Sequence, residues 1–399
     1  MEIRDTYYRL LNQPAPTYPR YLAGRIDFGR RLTGLIGPRG SGKTTLLLQW
    51  IKEKENPEQC MYASLDHIFF STHRLIDFVR DAFEVEGRTL FMLDEAHKYP
   101  GWNQEIKNVY DSFPEVRIVF SGSSSLDLVK GHYDLSRRGV IFRLNGLSLR
   151  EYILFTTGKA HPAFELENLI ERSGEISRTL SAIPRIKGLF QDFLKWGYYP
   201  FYFEDPKFYY QRILSTVEKT IYEDIAHFFS LSTAKLPMFK KLLAFLASVP
   251  PGEISVNTLA RDLGVDHKTV QSYLQMLADT SLIHSLKLGS PGKAALRAPE
   301  KVLLENANLY HAIAVESGFE PNLGSLRETF FVNALRGAGI PVQYSKEGDY
   351  RAVGKIFEVG GPNKTRKKLK DLSNAILVQD GLLTAAPGEI PLYLFGFLW

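Results

Sequence analysis

Apolar residues fall into short uninterrupted runs in the first part of this chain and into a three-and-four spacing further on. Leu32 to Ile36, Cys60 to Leu65, Thr89 to Leu93, Val116 to Phe120 and Val140 to Leu144 are runs of strand length. Unbroken apolarity predicts strands buried on both faces of a parallel sheet. Between them, Thr44 to Lys52 carries Leu46, Leu47, Leu48, Trp50 and Ile51, a helix apolar on most of its circumference, and Leu75 to Phe83 reads as a short amphipathic helix. A turn and helix span Tyr99 to Tyr110. From about Phe164 to Phe229 the spacing turns helical, clearest in Leu166 to Ile176 and Ile213 to Ile225. The aromatic stripe Trp196 to Phe203 reads as core rather than as a base-stacking surface.

Later segments change character. Ser255 to Asp266 predicts a helix, a Gly264 turn and an aspartate that caps a second helix, His267 to Leu277. With Leu282 to Leu288 and Lys301 to Leu304 as a hairpin, this is a helix-turn-helix with a wing, whose outward positions would be His267, Lys268, Gln271, Ser272 and Gln275. That face is weakly basic, so DNA and protein partners both remain open. Pro250-Pro251-Gly252 reads as a turn. From about Leu323 a small α/β unit follows, and Pro391 to Trp399 is too apolar for a loose tail, predicting a terminal strand or an interface.

Chemistry concentrates where the apolar runs end. Gly37-Pro38-Arg39-Gly40-Ser41-Gly42-Lys43-Thr44, followed by Thr45, is G-x-x-x-x-G-K-T between a predicted strand and a predicted helix. Such a loop cradles phosphate with inward N–H groups and a helix N-terminus; Lys43 would reach the β and γ phosphates and Thr44 would ligate Mg²⁺. The third run stops at Asp94-Glu95, placing Asp94 in the metal shell and Glu95 as general base toward an attacking water. The fourth empties into Ser121-Gly122-Ser123, whose hydroxyls could sense the γ-phosphate or cap the next helix. Asp66 reads as an N-cap for the segment after it, and His97 as a structural residue.

Composition narrows the class. The chain has 399 residues, 44% of them hydrophobic, enough for several domains with cores of their own. A formal charge of +5 permits anionic partners without requiring them. The single cysteine excludes an intramolecular disulfide and a cysteine-rich zinc site, and fits a reducing cytoplasm. The N-terminus lacks a signal-peptide pattern and no apolar run reaches membrane-span length, so the expectation is a cytoplasmic protein with no membrane partner. No internal repeat or low-complexity segment stands out.

Arg20-Tyr21-Leu22, Gly37 to Thr45, Leu93 to His97 with Trp102, Ser121 to Ser124, Leu135 to Arg138 and Leu147 to Tyr152, taken in this order, resemble the AAA-type P-loop ATPases of the archaeal-ATPase-like group. The resemblance implies an α/β fold: a P-loop NTPase parallel sheet with a helical lid, a winged-helix domain and a small C-terminal α/β domain. The expected extents are 1–155, 156–230, 231–310 and 311–399. It also implies ATP and Mg²⁺ as cofactors, and leaves a homo-oligomer as one possible assembly. Arg138 would be an arginine finger or γ-phosphate sensor, in cis or in trans. The C-terminal domain would look like a decayed or variant restriction endonuclease with acidic residues at Glu328, Asp349 and Glu358. The lysine expected two residues after Glu358 is Gly360 here, leaving Lys364 as the substitute. Three outputs follow: an ATPase that drives conformational change, a slow nucleotide-gated switch binding DNA or protein, and an ATP-licensed nuclease.

Overall fold

The apolar runs pair as predicted for buried parallel strands. In the computed structural model, which describes residues 3–122, 135, 137–253, 255–289, 300–370 and 372–399, β1 (Leu32–Ile36), β2 (Cys60–Ser64), β3 (Leu90–Asp94), β4 (Arg117–Gly122) and β5 (Val140–Arg143) form one sheet in the order β2-β3-β4-β1-β5. All its pairings are parallel. This is an α/β fold with the parallel sheet of a P-loop NTPase. Because β4 lies between β1 and β3, Ser121 pairs with Leu35 and stands one step in register beyond the Leu93–Phe120 pair, next to Asp94. The phosphate loop, the acidic strand end and the hydroxyl strand end therefore meet at the C-terminal edge of three neighbouring strands, where open α/β sheets bind ligands.

Helices α1 (Ile3–Asn12), α2 (Lys43–Lys54), α3 (Leu75–Glu84) and α4 (Trp102–Ser112) accompany this sheet. Helix α1 lies ahead of the first apolar run, where the pattern signalled no helix; it buries Ile3 and Tyr7, and the Tyr7 hydroxyl donates to Pro57 O at 2.8 Å. Asp66 does not cap the segment after it. His67 does, accepting from Phe69 N at 3.1 Å, while Asp66 accepts from Ser64 Oγ at 2.6 Å.

The described residues divide into two compact units, Met1–Gly146 and Leu147–Trp399. The second begins with a capping box: the Ser148 hydroxyl accepts from Glu151 N and the Glu151 carboxylate accepts from Ser148 N at 3.1 Å, starting helix Leu149–Thr157. Its helices Ile186–Trp196, Tyr209–Lys219 and Ala307–Ser317 are joined by buried polar groups. Asn308 Nδ2 donates to Phe193 O and Leu194 O, and its Oδ1 accepts from Tyr198 N at 2.8 Å and from the Tyr209 hydroxyl. Tyr198, Tyr199 and Phe201 are buried, so these members of the aromatic stripe are core.

Helix Pro237–Ser248, β6 (Gly252–Glu253), helices Val256–Leu263 and His267–Asp279, and the hairpin β7 (Ile283–Lys287) and β8 (Glu300–Leu304) follow in order, the strands forming a sheet β6-β8-β7. Gly264 takes a left-handed φ of 67° to end the first of the paired helices, and Asp266 caps the second by accepting from Thr269 N at 3.0 Å. Helix Leu323–Gly337 packs with a five-stranded mixed sheet of β9 (Gln343–Tyr344), β10 (Tyr350–Ala352), β11 (Lys355–Gly360), β12 (Ala375–Gln379) and β13 (Glu389–Pro391), in the order β13-β12-β11-β10-β9. The terminal run is a buried 3₁₀ segment, Leu392–Phe397, and the Trp399 indole donates to Ala334 O at 3.2 Å. Among the described residues no helix is long and apolar enough to cross a membrane.

Candidate functional site

The cradle depends on backbone shapes that few residues allow. Gly40 and Gly42 have φ of 77° and 91°, and a Cβ on Gly37 would stand 2.0 Å from Leu144 O. Helix α2 begins at Lys43 with Gly42 as its N-cap and no side-chain cap, so its first N–H groups are left for a ligand. Lys43 is buried and folds back on the loop, donating to Gly37 O at 2.9 Å and Pro38 O at 3.0 Å. Ser41 Oγ is buried with no hydrogen-bond partner. Pro38 is buried, Arg39 half-buried, and Gly40 and Thr45 exposed along the same loop and helix start.

Asp94 is the centre of the polar cluster beside this loop. Its carboxylate is buried and accepts from Thr44 Oγ1 at 2.5 Å, from the Tyr62 hydroxyl at 2.8 Å, from Ser121 Oγ and from the Glu95 backbone N–H at 3.1 Å. Two strands, one helix and the residue that follows β3 thus each supply a donor to one carboxylate, which fixes its orientation toward Thr44. Burial, and next the charge of Asp94, push the Tyr62 phenol well above its ordinary value, so Tyr62 stays a donor. Glu95 takes a left-handed backbone conformation, φ 51°, which turns its side chain out of line with the strand. Its Oε2 has no hydrogen-bond partner and stands 3.4 Å from Nε2 of the buried His97.

Lys43, Thr44, Asp94, Glu95 and Ser121 are therefore brought together. Ser123 lies outside the described residues. Arg138 is not brought to the cradle. It precedes β5, which pairs in register with β1 from Thr33 onward, so it stands at the N-terminal edge of the sheet, a strand length of roughly 16 Å from the loop. There it pairs with Asp111 at 3.2 Å.

Two contributors were missed. Tyr62 was readable as the one phenol among the strands of the first sheet, because a buried tyrosine hydroxyl needs a partner. Arg20, named in the sequence only as part of the family resemblance and given no role, is buried beneath the phosphate loop and donates to Ser41 O, and to Asn145 O and Gly146 O, each at 2.8 Å.

The second unit holds two further groupings. On helix His267–Asp279, His267, Lys268, Gln271, Ser272 and Gln275 are exposed while Val270, Tyr273, Leu274 and Leu277 are buried. Glu328, Asp349, Glu358 and Lys364 gather about the C-terminal sheet, two of them, Glu328 and Asp349, with Lys301 of β8. The Lys301 ammonium pairs with Glu328 and lies 3.7 Å from Asp349, the Tyr350 hydroxyl donates to Glu328 at 2.6 Å, and Lys364 Nζ lies 2.6 Å from Glu358. Burial raises the Glu328 carboxyl above its ordinary range, with Lys301 acting against it. Lys301, Asp349 and Glu358 line a cavity of about 400 Å³. The carboxylates are neutralised by lysines, and among the described residues no group of acidic, histidine or cysteine side chains could hold a metal ion.

Residues 29–153 match the family model of an AAA domain. The match contains the phosphate loop, Asp94, Glu95 and Ser121, and an AAA domain implies nucleotide binding. Residues 187–320 match a domain of unknown function, a stretch that takes in the buried Asn308 network and the paired helices; the match ends before helix Leu323–Gly337 and so lends no support to a nuclease-like C-terminal domain. No curated protein matches the chain. Among solved structures it is similar to one titled "Structure of C. elegans PCH-2", at 16% identity and a TM-score of 0.22, covering 43% of this chain and 47% of that one. The chain thus spans about half the length of that protein, and the likeness carries no functional argument.

Proposed function

We propose that the first unit binds ATP with Mg²⁺ and hydrolyses it, and that the second unit is the output. The observation that carries this reading is the convergence of Thr44, Tyr62 and Ser121 on the buried Asp94 carboxylate beside a glycine-shaped loop. The residues fit the nucleotide and the ion: a cradle that a Cβ would fill, a buried Ser41 hydroxyl with no partner, and a hydroxyl–carboxylate donor set of the hard-oxygen kind that Mg²⁺ takes. Thr44 and Asp94 would hold the ion, which when bound supplies positive charge against the phosphates. Lys43 exchanges the Gly37 and Pro38 carbonyls for phosphate oxygens, an exchange of neutral acceptors for charged ones that strengthens its hydrogen bonds. Glu95 takes the proton of the attacking water as its oxygen bonds to the γ-phosphorus and the bond to the β-phosphate oxygen breaks. The His97 ring lies 3.4 Å from the Glu95 carboxylate.

Arg138 serves a neighbouring copy, since its own cradle lies at the other edge of the sheet. AAA domains often oligomerise, which supports a site completed in trans. Mg²⁺-dependent titration of a fluorescent ATP analogue tests the binding half: saturable binding by the wild type and loss of it in Lys43→Ala is the expected pair of results.

The exposed face of helix His267–Asp279 favours a second reading of the output, a nucleotide-gated switch whose winged helix meets DNA. Mobility shifts at two salt concentrations test it. Binding that weakens with salt, less steeply in Lys268→Ala, supports DNA, and absence of any shift favours a protein partner.

A further inference from the structure

The underside of the phosphate loop is tied to the peptide by which the chain leaves the first unit. Arg20 stands just before the 3₁₀ turn Tyr21–Gly24 and is buried. One terminal nitrogen of its guanidinium donates to Ser41 O, inside the loop; the other donates to Asn145 O and Gly146 O, each at 2.8 Å. The Tyr21 hydroxyl continues the same line, donating to Arg143 O at 3.1 Å. A separate contact joins the same two segments: Leu144 N donates to Ile36 O at 2.8 Å, and Gly37 lies so close to Leu144 O that a Cβ there would come within 2.0 Å. Asn145 and Gly146 are the last residues of the first unit, and the second begins at Leu147.

A rigid planar fork with donors on both arms can hold a fixed spacing between two backbone segments, which a lysine cannot do. Phosphate entering the cradle draws the loop N–H groups toward it, and the Ser41 carbonyl belongs to a peptide plane within that loop. A buried guanidinium cannot exchange a lost carbonyl for water without cost, so Arg20 must follow the Ser41 carbonyl or hold it in place. Either way, the state of the loop is felt at Asn145–Gly146.

We infer that Arg20 is a positioning residue that couples occupancy of the nucleotide cradle to the peptide leading into the second unit. The inference rests on the ATP reading above, and the two can fail separately. The test uses the full chain with Arg20→Lys, which keeps a cation able to reach one carbonyl but not three, and with Arg20→Met. Two quantities are measured in each protein: affinity for a fluorescent ATP analogue with Mg²⁺, and amide hydrogen exchange of the 143–150 peptide with and without a saturating non-hydrolysable ATP analogue. In the wild type, nucleotide is expected to change exchange of that peptide at least several-fold. In Arg20→Lys, affinity should stay within about tenfold of wild type while the nucleotide-dependent change disappears. Arg20→Met should behave in the same way, and if it does not fold the lysine variant decides. An unaltered nucleotide response in Arg20→Lys overturns the inference. So does a wild-type protein that binds nucleotide with no change at 143–150. A wild type that binds no nucleotide instead removes the ATP reading, and the coupling with it.

Discussion

Replacing Tyr62 by phenylalanine deletes one oxygen from the Asp94 cluster and almost nothing else. The phenol donates to Asp94 Oδ2 at 2.8 Å within a buried strand, so no water substitutes for it. Hydrogen bonds to charged acceptors contribute about 1.5–3 kcal/mol. Asp94 keeps donors from Thr44, Ser121 and the Glu95 N–H, which places the loss at the low end, about 1.5 kcal/mol. In thermal unfolding at pH 8 this corresponds to a fall of about 3–6 °C in the transition of the first unit. The pH dependence carries a sign. Burial and Asp94 raise the folded-state pKa of Tyr62 above its ordinary 10.0, so its contribution is fully present below pH 10 and is lost as the unfolded chain ionises above it. The wild-type advantage should therefore shrink by about 1.4 kcal/mol per pH unit above 10, reaching parity roughly one unit higher. Equal melting temperatures at pH 8, or a difference that stays constant from pH 8 to 11, would refute the reasoning.

Other expectations follow from single contacts. Gly37→Ala drives a methyl group into Leu144 O, a backbone atom with no rotamer to yield, so a loss of about 3 kcal/mol and of nucleotide binding should appear in denaturant unfolding and analogue titration. Lys301→Met leaves Glu328 and Asp349 without their shared cation and should cost the second unit about 3–5 kcal/mol. Because the folded Glu328 pKa lies above its ordinary value, acid favours the folded state at this position, and the deficit should narrow as the pH is lowered toward 5 in parallel melts. EDTA should leave the wild-type transition of the second unit unmoved. Arg138→Ala should bind nucleotide within about twofold of wild type yet turn over slowly, and mixing it with Lys43→Ala protein should raise turnover above the sum of the two, as an arginine acting in trans requires.

Strand–loop–helix order in the first unit was legible because a buried parallel strand and the phosphate loop each leave a local pattern. Which strands are neighbours was not, since apolarity says that Arg117–Gly122 is buried but nothing about its place between β1 and β3. That placement is what puts Ser121 against Asp94, and it is also what separates Arg138 from the cradle by the length of a strand. Arg20 escaped for a related reason: its partners are backbone carbonyls, Ser41, Asn145 and Gly146, which carry no side-chain signature. In the second unit the paired helices were readable from Ser255, Gly264 and Asp266, whose capping chemistry is local. Lys301 was not, because its role as counter-ion depends on acids that lie 27 and more residues later. The final segment read as a strand or interface from apolarity alone; its burial was visible and its 3₁₀ conformation was not.

Steady-state phosphate release from the wild type and Glu95→Gln, with nucleotide affinity measured on the same samples, tests the central claim most directly. The account predicts that the variant binds ATP as the wild type does and releases phosphate at least about a hundredfold more slowly, the lower end of what a positioned general base contributes. Turnover unchanged by Glu95→Gln, with binding intact, would contradict it.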